Sequence, residues 1–201
     1  MITPAEQKAR LFIHALHQVP QKEKNNFFFE LISDGMDVNW AGPELGHTVL
    51  MHVISRNAPP LLDALIENGA NVDAKNAKGE TALTWAAQRG HTAMMQTLLD
   101  HGANINAQDN EGATALMAAV EYRHPQPACL LIRAGADTSL KNIIGDTVHD
   151  YLDCCGSPGT VRTVRHTLIE HDFKAILEKG TPRPRKIRRA QGLTKKSGPQ
   201  P

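Results

Sequence analysis

The chain has 201 residues, 41% hydrophobic and 4% aromatic, which suits one domain with a thin, mostly aliphatic core. Its net charge of +1 hides an asymmetry: residues 179–201 carry eight basic and no acidic side chains, leaving 14 basic against 21 acidic for the rest. No run of eighteen apolar residues is present, which excludes a membrane-spanning helix.

The first residues, MITPAEQKARLFIHALHQV, lack the basic start and unbroken apolar core of a signal peptide. A cytoplasmic location is therefore expected, with secretion as an effector left open. Thr3-Pro4-Ala5-Glu6 reads as a helix start: Thr3 caps, Pro4 takes the first helical position, and Glu6 completes a capping box. Leu11 and Ala15, with Ile13 and Leu16, are predicted to form the buried side of that helix, which Pro20 ends. After the polar run 21–26, Phe27, Phe28, Leu31 and Ile32 mark the stripe of a second helix, stopped by Gly35. Residues 4–35 thus read as an end unit with a polar outer face.

From here the sequence is periodic. Thr48, Thr81, Thr114 and Thr147 stand 33 residues apart, and each follows a glycine by two positions: Gly46, Gly79, Gly112 and Gly145. Gly69, Gly102 and Gly135 repeat at the same interval, and each precedes Ala. Within 79–106, Gly-Glu-Thr-Ala-Leu-Thr-Trp-Ala-Ala reads as a short helix entered through a Thr. After Arg89-Gly90-His91, the residues Met94, Met95, Leu98 and Leu99 make one apolar stripe of a second helix.

The other units follow suit. Leu50, Val53, Ile54, Leu61, Leu62, Leu65 and Ile66 are predicted inside the first full unit, and Leu116, Ala119, Val120, Leu131 and Ile132 inside the third. Asn57 and Arg123 occupy the inter-helix turn position that Gly90 holds in the second unit, so both should adopt positive φ, with Arg123 strained by about 1 kcal/mol. Between Gly35 and Gly46 the spacing is eleven residues where the later units have ten, and the extra residue falls within Asn39–Glu44 beside Trp40. Beyond Thr147 the register drifts. Ser157-Pro158 opens a last helix with Val161, Val164, Leu168, Phe173, Ile176 and Leu177 on its apolar side, ended by Gly180.

Helix–turn–helix units at this period resemble the ankyrin repeat. The resemblance covers about residues 21–156 and implies an all-α solenoid of stacked helix–turn–helix units with hairpin fingers, followed by a disordered basic tail. The expected divisions are 1–44 (capping repeat and finger), 45–77, 78–110 and 111–143 (three repeats), 144–178 (C-terminal cap) and 179–201 (tail). The family's Thr-Pro-Leu-His pattern is only partly kept. Val49, Ala82, Ala115 and Val148 stand at the Pro position, and Met51, Thr84, Met117 and Asp150 at the His position. Inter-repeat ties normally made by that His are expected to be weaker or replaced.

Residue chemistry gives catalysis no foothold. His14/His17 and His166/His171 have no further ligand at a spacing that completes a metal site. Cys129, Cys154 and Cys155 cannot all pair and form no C-x-x-C motif, so they read as reduced thiols. Cys155-Gly-Ser-Pro-Gly lacks nucleophile-elbow spacing and reads as a helix N-cap at Ser157. The glycines mark turns and form no phosphate loop. No enzyme activity and no cofactor are expected.

What the resemblance implies instead is protein binding through a concave face, by a monomer acting as an adaptor, an inhibitor or a host-directed effector. The implied contact positions are Glu44, Leu45, His47, Ser55 and Arg56 in the first repeat, Ala77, Lys78, Glu80, Gln88 and Arg89 in the second, and Asn110, Glu111, Ala113, Glu121 and Tyr122 in the third. One step inward stand His52, Trp85, Ala118 and Tyr151. Trp40, Trp85, Arg89 and Tyr122 are the expected anchors, because aromatic and Arg side chains dominate interface energetics; Trp40 is expected to find little to bury it. In the tail, Arg183, Arg185, Lys186, Arg188 and Arg189 suggest an alternative: engagement of nucleic acid or another polyanion.

Overall fold

The computed structural model describes residues 2–18, 25–43, 45–154 and 156–178. Ten helices are present among them and no strand longer than an isolated bridge. They run α1 (Pro4–Gln18), α2 (Asn25–Ser33), α3 (Val49–Ser55), α4 (Pro59–Glu67), α5 (Ala82–Arg89), α6 (Thr92–Asp100), α7 (Ala115–Glu121), α8 (Pro125–Arg133), α9 (Val148–Cys154) and α10 (Pro158–Glu178).

Successive helices pair, and the pairs stack in two layers. The inner layer is α1, α3, α5, α7 and α9; the outer layer is α2, α4, α6, α8 and α10. A seven- or eight-residue helix is too short to be stable alone. Here each inner helix is sandwiched between neighbours, so Ala82–Ala87 are buried without a break along α5. Alanine is frequent in this layer because a small side chain lets the helices approach closely on both flanks.

Each of the three central inner helices starts in the same way. The side chains of Thr48, Thr81 and Thr114 accept a hydrogen bond from the backbone N–H three residues on, each at 3.3 Å. All three cap residues are buried, so water cannot replace the lost acceptor. Thr114→Ala is therefore expected to lower stability by about 1 kcal/mol, and Thr114→Ser by much less. Urea unfolding of the two variants checks this; equal losses would show that the methyl, rather than the hydroxyl, matters.

Asn57 and Arg123 both adopt positive φ, at 50° and 62°, as the missing turn glycines require. The Met94–Leu99 stripe lies inside, with Leu99 only partly covered. In the first finger the extra residue is taken up at the tip. Gly42 N–H reaches His47 O at 2.9 Å, a loop one residue wider than the Asn76 N–H to Glu80 O closure of the next finger at 3.0 Å.

Successive repeats are tied together at the fingers. Ala77, Asn110 and Ile143 each donate a backbone N–H, at 2.9 Å, to the carbonyl of Leu45, Lys78 and Glu111 in the preceding finger. Behind them, the side-chain oxygens of Asn39, Asp73 and Asn106 accept from the N–H of Asn71, Asn104 and Asp137 at 2.7, 2.8 and 2.9 Å. These bonds recur with the repeat and join each unit to the next.

The end units differ from expectation. Thr3 and Glu6 do form the capping box, with Thr3 N–H to Glu6 Oε2 at 2.8 Å and Glu6 N–H to Thr3 Oγ1 at 3.2 Å. The buried stripe of α1, however, is Ala9, Phe12 and Leu16, while Leu11 is 49% exposed. Phe12 takes the core because its ring packs edge-on against Phe28 at 4.8 Å, a larger apolar contact than Leu11 offers. Phe28 and Ile32 are buried on α2, whereas Phe27 and Phe29 stay exposed, so the surface of this unit is not wholly polar.

At the other end, Ser157 caps α10 by accepting from Thr160 N–H at 3.3 Å. Val164 and Leu168 are buried there, and so are Thr160 and Thr167. The expected positions Phe173, Ile176, Leu177 and Gly180 lie outside the described side chains. Cys129 is buried and Cys154 exposed; Cys155 is outside the described residues. No helix among the described residues is long and apolar enough to cross a membrane.

Candidate binding face

Finger tips and the exposed sides of α3, α5, α7 and α9 bring most of the implied contact residues into two adjoining groups. The first centres on Trp85, which projects from the middle of α5. Its indole is only 9% exposed. The ring is held on every side: Nε1 donates to Glu80 Oε2 at 2.9 Å, the His47 ring meets it edge-on at 4.5 Å, and the Arg89 guanidinium lies 4.2 Å from its centroid. Trp85 thus fills space and supports Arg89, the residue at the surface.

Glu80 holds this group together. Its carboxylate also accepts from Asn76 Nδ2 at 2.7 Å and from Gln88 Nε2 at 2.9 Å. Burial alone would raise its pKa, but the bonds from Asn76, Gln88 and Trp85 and the charge of Lys78 outweigh it, so Glu80 stays ionised below the usual carboxylate range.

A chain of imidazoles extends the group towards the N-terminal unit. Arg56 Nη2 donates to His17 Nδ1 at 2.8 Å, and His17 Nε2 meets His52 Nδ1 at 3.1 Å. Because guanidinium only donates, His17 Nδ1 must accept, which puts its proton on Nε2 and makes His52 Nδ1 the next acceptor. The His52 ring then faces His47 edge-on, with centroids 6.0 Å apart. Burial, then the neighbouring His17 and His47, push the His52 pKa down to about 4. Burial, followed by Arg56, also lowers that of His17. His47 is lowered by burial and by Arg89 and Lys78, against an opposing pull from Glu80. The chain is neutral at neutral pH.

The second group lies towards the C-terminal end, around a groove of about 420 Å³ between α5, α7 and α9 and their fingers. Tyr122, 51% exposed, and the half-buried Tyr151 stand over it with Glu121 and Glu111. Tyr151 OH accepts from Asn142 Nδ2 at 3.2 Å. Burial raises its pKa, and the negative charges of Glu121, Asp146 and Asp109 raise it further against the pull of the Asn142 bond.

Trp40 is placed differently from expectation. It is half-buried against the core, beneath Arg10 of α1 at 5.8 Å, so the N-terminal unit helps to cover it. His17 and Arg10 were not legible as neighbours of the face, because α1 precedes the repeat register and no periodic position pointed to them. The tail residues Arg183, Arg185, Lys186, Arg188 and Arg189, and Glu44 in the first finger, lie outside the described residues.

Among the described residues no group of three or more His, Cys, Asp and Glu side chains is placed to hold a metal ion. His17 is turned to Arg56 and His52, while His14 Nε2 meets Gln18 Nε2 at 2.9 Å. His166 faces Glu170 at 3.4 Å.

Stacked helix pairs and recurrent finger bonds define a repeat solenoid. A family model of ankyrin repeats in three copies matches residues 16–109 and 50–142, which together span more than half of the sequence. The chain belongs to the ankyrin-repeat family. No curated protein matches it. Ankyrin repeats are generally protein–protein interaction modules, and the family is typically non-enzymatic.

Proposed function

We propose that this protein binds another protein through the concave face, with Arg89 and Tyr122 as its exposed anchors and no chemistry of its own. The observation that carries the reading is the placement of Arg89. Its guanidinium is fixed over a buried indole that is itself fixed by Glu80, His47 and the core, so little side-chain entropy is lost when a partner engages it. Tyr122 adds a large rigid contact on the next inner helix. His47, His52, Arg56, Glu80, Glu121 and Tyr151 surround the two anchors and set charge and shape, and Trp85 acts beneath them. Trp40 contributes by holding the first finger. An adaptor or an inhibitor would use the face in the same way.

The test is capture of a partner from native lysate by the full chain, followed by the variants Arg89→Glu and Tyr122→Ala. Both side chains are exposed, so the helical circular dichroism signal should be unchanged. Truncating a central anchor is expected to weaken binding by about 2 kcal/mol, roughly thirtyfold in Kd. Two folded variants that retain the partner at wild-type affinity would exclude this face.

A further inference from the structure

The repeat period offers an internal comparison for the outer layer of helices. On α4 it places Asp63 and Glu67 one turn apart, and their equivalents on α6 are Gln96 and Asp100. At the same positions α8 has Cys129 and Arg133, and α10 has Arg162 and His166. The outer layer therefore turns from acidic to basic along the stack. Arg133 and Arg162 stand on the two walls of a cavity of about 590 Å³ between α8 and α10, with Thr92 of α6 at its edge. Among the described residues no Asp or Glu lines it, although the chain before residue 179 is acidic. Its floor is polar and closed. Cys129 and Thr167 are both buried there, and the thiol donates to Thr167 Oγ1 at 3.1 Å, since that hydroxyl already donates to Thr163 O at 3.1 Å. This contact fixes α8 against α10. Neither Arg133 nor Arg162 makes a hydrogen bond or ion pair among the described residues, whereas Arg165 pairs with Asp153 and His166 is turned to Glu170 at 3.4 Å.

We propose that this cavity binds a small phosphorylated molecule, its phosphate held by Arg133 and Arg162 and its organic body laid against Leu130. The site belongs to the outer layer, apart from the inner-helix face read as a protein-binding surface, so the two readings stand or fall separately.

Size, charge and shape select this class of ligand. Cavities of about 300–1,000 Å³ suit small organic molecules. A folded partner would engage about 20–30 residues on each side, and nine residues line this cavity. Guanidinium forks match phosphate oxygens in pairs, which makes arginine the usual partner of phosphate. Two of them balance a phosphate monoester, which carries close to two negative charges, whereas a carboxylate offers one. Reach is sufficient, because helices packed about 8–10 Å apart lie within the combined span of two arginine side chains. Phosphate alone would leave most of the cavity empty. Leu130 supplies an apolar wall for an attached body, and the Thr92 hydroxyl and Gln126 amide supply polar contacts at its rim.

The experiment is a titration of the intact, nitrogen-15-labelled chain with phenyl phosphate, followed through its amide NMR signals. Saturable shifts are expected in α8, α10 and the start of α6, with a Kd of about 1 mM or tighter. Arg133→Gln/Arg162→Gln is expected to weaken binding about tenfold or more. Both side chains are exposed, so the helical circular dichroism signal should be unchanged. Arg165→Gln removes a positive charge from the same helix outside the cavity and should alter the Kd by less than about twofold. Benzoate and inorganic phosphate are each expected to bind severalfold more weakly than phenyl phosphate. Equal affinity in the wild type and the double variant overturns the proposal, and so do shifts confined to residues 179–201. An equal loss in Arg165→Gln overturns it in favour of general charge attraction. Benzoate binding as tightly as phenyl phosphate overturns the assignment of phosphate. Inorganic phosphate binding as tightly overturns the organic body and leaves a site for the free anion.

Discussion

Gly79→Ala is expected to destabilise the solenoid by roughly 3 kcal/mol or more, whereas Gly102→Ala should cost only about 1–2 kcal/mol. Both glycines have almost the same left-handed backbone, with φ +77° and +79°, so both replacements bear the same conformational strain. Their surroundings differ. A Cβ on Gly102 meets nothing within 4 Å, while one on Gly79 comes within 2.4 Å of Asn110 Oδ1 and 2.8 Å of Asn110 N. Asn110 cannot withdraw freely. Its N–H donates to Lys78 O and its Nδ2 to Ala77 O, each at 2.9 Å, and these bonds join the second finger to the third. The difference between the two variants therefore measures the finger seam alone. Urea unfolding reads it directly, and equal midpoints would mean that the fingers contribute nothing to holding the repeats together. Gly79→Ala should also impair partner capture more than its stability loss explains, since Lys78 and Glu80 flank it on the binding face.

Acidification should destabilise the junction between the N-terminal unit and the first repeat. Well above pH 6.5, His52 is neutral in both folded and unfolded chains and contributes no pH dependence. As pH falls from there towards about 4, the unfolded chain takes up a proton that folded His52 refuses, so stability declines across that window. His17 and His47 shift in the same direction and steepen the decline. The slope cannot exceed about 1.4 kcal/mol per pH unit for each group, because each imidazole takes up at most one extra proton on unfolding. The charges facing the chain are Arg56 at one end and Arg89, Lys78 and Glu80 at the other; only Glu80 favours protonation. His52→Gln keeps a neutral polar group, and its thermal midpoint should fall less than that of the wild type between pH 7 and pH 5. Parallel declines in the two proteins would assign acid sensitivity elsewhere.

Much of the fold was legible because a repeat reports each structural requirement several times. Thr48, Thr81 and Thr114 cap three helices in the same way, and the glycines between units mark backbone that ordinary residues adopt at a cost. Asn57 and Arg123 could be assigned positive φ solely because Gly90 showed what the position needs. Where the period lapses, sequence reasoning lost its guide. In α1 it chose Leu11 over Phe12, because an amphipathic helix without repeat register leaves neighbouring stripes nearly equal, and contact with Phe28 decides between them.

For the proposed binding face, the shared side of its residues was legible but their arrangement was not. Spacing placed His47, Glu80, Trp85, Arg89 and Tyr122 on one side of the stack, since residues at equivalent repeat positions must share a face. Sequence alone thus determined the period, the helix pairs, the caps and the charge asymmetry between body and tail, all of which follow from local backbone demands and composition. The tertiary structure alone decided how those side chains divide their roles. It buried Trp85 beneath Arg89, engaged Glu80 with three donors, covered Trp40 with Arg10, and linked His17 to His52 across two units. The His17–His52 and Trp40–Arg10 contacts join residues about thirty positions apart, and the contacts of Glu80 and Arg89 depend on the rotamers that the packed face allows; no local pattern encodes either.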